Sequence, residues 1–202
     1  MRKLLALAAV VAALGTAGAV QAEGSAEAGQ AKSAVCTACH GPDGNSANPE
    51  WPTLAGQHAD YLVTQLQAFK SGDRENVLMS PMAMPLSEED MQDLAAYYAA
   101  QTIQPKEADP DLVQRGRSLY RGGDASKGIP ACIACHGPTG QGNPLAGYPV
   151  VAAQHATYTA SALKAYRSGE RRSDSNQMMR NVADNLSDED IRAVASYLQG
   201  LR

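Results

Sequence analysis

The four cysteines of this 202-residue chain fall in two pairs, Cys36 with Cys39 and Cys132 with Cys135, and a histidine closes each pair, His40 and His136. A C-x-x-C-H run suits one chemistry above others. Two thiols one helical turn apart add across the two vinyl groups of a porphyrin, and the next residue presents an imidazole to the iron from the same side. A zinc site would need its four ligands gathered, and a redox dithiol would need strands and helices alternating around it. Two covalently bound haem c groups, each with its iron, are therefore expected, one on Cys36, Cys39 and His40, the other on Cys132, Cys135 and His136.

A haem that only carries electrons closes its sixth coordination position with methionine or a second histidine. The first half offers Met79, Met82, Met84 and Met91, and the second offers Met178 and Met179. Counting back seven residues from Leu86 reaches Met79, and seven from Leu186 reaches Met179, which selects that pair. Met91 belongs to a helix stripe, while Met82 and Met84 read as pocket packing. His58 and His155 are the rival ligands, although each opens a helix, where a surface or propionate contact is usual. Pro52 and Pro149 could supply the carbonyl that fixes the ligand imidazole, or simply turn the chain.

These groups must be positioned by elements that recur. Pro52, Gln57, His58, Tyr61 and Leu66 return at an offset of 97, and Leu86, Ser87, Asp90 and Tyr97 at an offset of 100. Met91, Leu94, Ala95 and Tyr98 form an i, i+3, i+4, i+7 stripe, repeated by Ile191, Val194, Ala195 and Leu198. Ser87 and Ser187 read as N-caps with Asp90 and Asp190 three residues on. Middle helices are expected from about His58 to Ser71 and from about His155 to Ser168, stopped by Gly72 and Gly169. No segment alternates like a strand. The fold expected is all-α, with a first domain over residues 23–101, a linker over 102–110 and a second domain over 111–202.

Residues 1–22 read as an export signal: Met1-Arg2-Lys3 is basic, Leu4 to Leu14 is apolar, and Val20-Gln21-Ala22 offers a cut after Ala22. Export to the periplasm would ordinarily favour disulfides, but the histidine after each cysteine pair argues against them. Aromatics are only 5% of the chain, so side chains alone make a lean core and a haem in each half would supply volume.

The two C-x-x-C-H motifs, WPTLAGQ at Trp51 to Gln57, YPVVAAQ at Tyr148 to Gln154, MSPM at Met79 to Met82, Arg121-Gly-Gly123 and the paired Leu-Ser-x-x-Asp helix starts together resemble the cytochrome c4 family. The resemblance covers the chain after residue 22. It implies two class I cytochrome c domains packed about a pseudo-twofold axis, with haem propionates near their interface. It also implies His/Met ligation, carried onto His40 with Met79 and His136 with Met179, and single-electron transfer from a cytochrome bc complex or another donor toward a haem-copper terminal oxidase. Such a protein is not an enzyme. It works as a monomer with redox-protein partners, associates at most peripherally with the membrane and binds no nucleic acid. The other readings are the cytochrome subunit of a flavocytochrome sulfide dehydrogenase and, more distantly, a dihaem peroxidase.

Charge divides the halves. Residues 23–105 hold 11 acidic against 3 basic side chains, net −8, and residues 106–202 hold 10 against 12, net +2. Surface potential steers transient encounters, so the first half is expected to meet a basic partner surface and the second a neutral or acidic one.

Overall fold

The computed structural model describes residues 24–202; the expected signal at 1–22 lies outside the described residues. Ten helices follow one another in these residues: α1 (Ala26–Lys32), α2 (Ala34–His40), α3 (Ala59–Ser71), α4 (Met79–Ala83), α5 (Glu88–Ala99), α6 (Pro110–Gly122), α7 (Ile133–His136), α8 (Ala156–Ser168), α9 (Met178–Asp184) and α10 (Asp188–Gly200). Among the described residues, extended pairing is limited to isolated bridges. None of these helices is long and apolar enough to cross a membrane.

The stripes on α5 and α10 do what their spacing predicts. Met91, Leu94, Ala95 and Tyr98 are buried on α5, and Ile191, Val194, Ala195 and Leu198 on α10. Both helices start with a full capping box, Ser87 with Asp90 and Ser187 with Asp190, which satisfies orphan N–H groups at the first turn. The middle helices begin after His58 and His155 and end at Gly72 and Gly169 in the left-handed conformation, φ 88° and 75°.

Each half is closed by a helix pair of which the sequence shows only one member, α5 or α10, and not its partner, α1 or α6. α1 crosses α5 and α6 crosses α10, and the crossings have no room for a side chain. A Cβ on Gly29 would lie 1.9 Å from the carbonyl oxygen of Asp93, and one on Gly116 would lie 2.2 Å from that of Ala193. The cores are separate. The first gathers Leu62, Leu94, Ala95, Tyr97 and Tyr98, and the larger second one is built around Leu119, Tyr120, Ile129, Ile191, Val194 and Leu198.

The halves meet through equivalent residues, the mark of a twofold interface. Arg74 and Arg171 pair in an antiparallel bridge, and each guanidinium lies over a ring of its own half, 4.4 Å from Phe69 and 4.5 Å from Tyr166. Arg74 donates to the Tyr158 hydroxyl (3.0 Å) and Arg171 to the Tyr61 hydroxyl (2.8 Å), while Gln65 Oε1 accepts from both arginines at 2.9 and 2.7 Å.

Candidate haem-binding sites

α2 carries Cys36 and Cys39 three residues apart on one turn and ends on His40; Cys132 caps α7, which carries Cys135 and ends on His136. All four thiols are free and partly exposed, not joined in disulfides. Burial pushes the Cys36 thiol up, and Cys132 up to about 11. Both shifts run opposite to the lowered pKa of a redox dithiol. Among the described residues, no three His, Cys, Asp or Glu side chains gather to hold a metal ion, so a zinc cluster finds no ligand set.

The two histidines are buried and held alike. His40 Nδ1 lies 2.9 Å from the Pro52 carbonyl oxygen, and His136 Nδ1 lies 3.0 Å from that of Pro149. A carbonyl only accepts, so Nδ1 carries the proton and donates, leaving the lone pair on Nε2. Burial lowers both imidazole pKa values against the weaker opposing pull of the carbonyls, and keeps the rings neutral. A neutral ring with Nδ1 engaged is the form that ligates a metal through Nε2. Pro52 and Pro149 thus act through their carbonyls and are more than turn residues.

The methionines separate by environment. Met79 opens α4 half-buried, its N–H held by Asn76 Oδ1 at 3.0 Å. Met179 lies in the first turn of α9, half-buried against the second core. Met91 is 1% exposed on the buried face of α5, as its stripe requires, whereas Met82 and Met84 are 51% and 56% exposed and fill no core. Met178 is exposed, and its sulfur lies 3.8 Å from the Tyr148 hydroxyl.

His58 and His155 are used elsewhere. His58 Nε2 lies 2.8 Å from the Gln141 carbonyl oxygen of the second half, and His155 Nε2 lies 2.8 Å from the Ser46 carbonyl oxygen of the first. Their matched positions come from the symmetry of the interface. The sequence reading also passed over Gln57, Gln154, Arg74 and Arg171 as interface residues, although all recur at the offset of 97 and the repeat could have flagged them.

The residues fit a haem in each half. They offer paired free thiols, a neutral buried imidazole with one nitrogen engaged, and a half-buried thioether. Beside Cys36, the Tyr98 hydroxyl is buried with no hydrogen-bond partner among the described residues. Arg74 and Arg171 meet no carboxylate among the described residues.

Comparison with known proteins finds one family over both halves. The Cytochrome c family profile matches residues 26–100 and again 113–202. Cytochrome c4 of Thiocapsa roseopersicina is 53% identical over 180 residues, 88% of this chain and 93% of that protein. The thiosulfate dehydrogenase electron acceptor of Stutzerimonas stutzeri is 39% identical over 173 residues, 81% of this chain and 77% of that protein. The crystal structure of reduced recombinant cytochrome c4 from Pseudomonas stutzeri superposes with a TM-score of 0.86 at 48% identity, covering 89% of this chain and 100% of that one.

Proposed function

This chain belongs to the cytochrome c4 family of dihaem c-type cytochromes, and we propose that it shuttles single electrons in the periplasm between a cytochrome bc complex and a haem-copper terminal oxidase. In this reading the signal at 1–22 is removed, residues 23–101 and 111–202 form the two haem domains, and 102–110 join them. The observation that carries the reading is the double occurrence of a buried neutral histidine, fixed through Nδ1 and following a pair of free thiols.

The haem iron supplies the one-electron cycle. The chain's part is to hold everything else still. Cys36 and Cys39, and Cys132 and Cys135, anchor the group covalently. His40 with Met79 and His136 with Met179 would supply the imidazole and thioether donors to the two irons, a set that suits electron transfer and leaves no role for a bound substrate. A soft thioether favours the reduced state and raises the potential. Arg74 and Arg171, which meet no carboxylate among the described residues, would balance propionate charge if the haems bring it to the interface.

A second reading has its own support, because the chain is 39% identical to a thiosulfate dehydrogenase electron acceptor. There the donor is a thiosulfate-oxidising enzyme and not a bc complex. The experiment that separates the two is to mix the oxidised protein with purified bc complex plus quinol, or with thiosulfate dehydrogenase plus thiosulfate, and follow haem reduction optically. Fast reduction by the bc complex and fast reoxidation by oxidase-containing membranes is the result expected; fast reduction by the thiosulfate enzyme alone would replace the first reading with the second.

A further inference from the structure

One feature of the interface reaches both histidines. Gln57 belongs to the first half, yet its side-chain amide is spent on the second. Nε2 donates to the Val150 carbonyl oxygen at 2.9 Å, and Oε1 accepts from the Val150 N–H at 2.9 Å. Gln154 returns the arrangement, with Nε2 donating to the Thr53 carbonyl oxygen at 2.9 Å and Oε1 accepting from the Thr53 N–H at 2.8 Å. The amide orientations follow from chemistry, since a backbone N–H can be met only by the oxygen and a carbonyl only by the nitrogen. Gln57, Val150, Thr53 and Gln154 are all less than 10% exposed, so water does not compete for these bonds.

The place where the glutamines land matters more than their number. Val150 N–H and the Pro149 carbonyl belong to one peptide group, and so do Thr53 N–H and the Pro52 carbonyl. Each histidine therefore starts a chain of two hydrogen bonds through a single peptide: His136 Nδ1 to the Pro149 oxygen (3.0 Å), then Val150 N–H to Gln57; and His40 Nδ1 to the Pro52 oxygen (2.9 Å), then Thr53 N–H to Gln154. An acceptor on the N–H of a peptide polarises its carbonyl, and successive bonds strengthen one another in a low-dielectric interior. A stronger carbonyl acceptor draws on the Nδ1 proton and makes the imidazole a better donor at Nε2.

We propose that Gln57 and Gln154 are crossed positioning residues: each orients and electronically tunes the haem-ligating histidine of the opposite half through one shared peptide group. Each redox site is thereby tied by hydrogen bonds to the opposite half. The proposal rests on His40 and His136 being iron ligands. Loss of one glutamine weakens the Nδ1 hydrogen bond across the interface, makes that imidazole less basic and favours the reduced iron, so the potential of the opposite haem rises.

The test uses the full holoprotein with Gln57→Leu and Gln154→Leu. The Nδ1 proton resonances of the ligand histidines in the diamagnetic reduced protein are followed by NMR, together with the two potentials by redox titration. The expected result is a crossed pattern, with Gln57→Leu moving the His136 resonance and raising its haem's potential more than that of the His40 haem, and Gln154→Leu doing the reverse. Gln57→Glu keeps an acceptor opposite Val150 N–H and should move the His136 resonance in the other direction. Gln65→Ala, which loosens the interface without touching either proline peptide, should leave both resonances in place. Equal shifts at both histidines, shifts confined to the mutated half, or no shifts overturn the proposal. Absence of any ligand-histidine resonance in the unmutated protein overturns the ligation reading itself, and the proposal with it.

Discussion

The two halves place the same donor groups with different supporting parts. In the first half a small Ser33 at the junction of α1 and α2 lies near Tyr98 of α5, which packs beside Cys36. In the second, the equivalent positions are reversed in size: Tyr120 takes the place of Ser33, Leu198 the place of Tyr98, and Tyr120 packs beside Cys132. Tyrosine hydroxyls brace the loop after each motif from different helices, Tyr97 to the Pro42 carbonyl at 2.7 Å and Tyr120 to the Gly137 carbonyl at 2.5 Å. The charges move in the same way. Lys32 bridges Asp90 and Asp93 in the first half, whereas Arg115 and Lys127 converge on Asp190 in the second, where Ala193 stands in Asp93's place. The haem ligation imposes residue type at a few atoms, and the volume and charge around them are free to be supplied from either helix.

The methionine segments differ most on their outer face. Val77, Leu78, Met82 and Met84 are all more than half exposed in the first half, and their counterparts in the second are Gln177, Met178, Val182 and Asp184. The second segment also winds Asn176 and Gln177 at φ 53° and 58°, a conformation that costs non-glycine residues about 1–3 kcal/mol, and Asp174 pins it by binding Arg180 through both its N–H and Nε.

The largest effect that would break the comparison is loss of one thioether. Met79→Ala and Met179→Ala should each remove the near-infrared sulfur-to-iron band of one haem and lower its potential, leaving the other haem as it was, checked by absorption and redox titration. If either change leaves both haems intact, the pairing of equivalent methionines is wrong.

The next effect sharpens the difference in charge. Burial alone would raise the Asp190 carboxyl, but Lys127, Arg115 and Ser187 outweigh it and hold the pKa well below the usual carboxylate range. Because the folded pKa is depressed, this stabilisation is present above about pH 4 and is lost as pH falls below the unfolded value. Asp190→Asn should cost about 1.5–3 kcal/mol at neutral pH by denaturant unfolding, and less on acidification. Asp90→Asn, at a partly exposed site with one cation, should cost less than Asp190→Asn at every pH.

The size reversal gives a smaller effect. Ser33→Tyr and Tyr98→Leu should each destabilise the first half by about 1–3 kcal/mol, by overpacking and by cavity formation. The double change imports the second half's solution and should recover part of that loss, a coupling that a double-mutant cycle measures. Additive losses would show that the two arrangements are not interchangeable. The smallest effect concerns rates. Replacing the exposed Asp73, Glu75, Glu88 and Glu89 by their amides should reduce the salt dependence of association with one redox partner and not the other, by stopped-flow kinetics across ionic strength; equal changes with both partners would remove any division of labour by charge.

Much of this was legible in the chain. The stripes on α5 and α10, both capping boxes and the glycine stops of α3 and α8 are local signals, and local signals survive folding. α1 and α6 were not legible, because AEAGQAK and PDLVQRGRSLYRG each place a glycine mid-helix, where propensity is poor, and the glycine's reason is the close helix crossing that only the tertiary structure reveals. The register shows the same limit. Gly29 to Gly116 is an offset of 87 and Cys36 to Cys132 one of 96, so nine extra residues lie between them, and these surround the turn pinned by the Asp124 and Ile129 bridge. The histidines legible as rival ligands, His58 and His155, became interface residues because their partners are backbone carbonyls over 80 residues away.

The most direct measurement of the central claim is the intact mass of the mature protein combined with a pyridine haemochrome assay and a redox titration. The account predicts a mass increment of two haems, two haemochromes per chain and two one-electron steps from low-spin irons. A chain carrying one haem or none, or one whose four cysteines are found as disulfides, would contradict it.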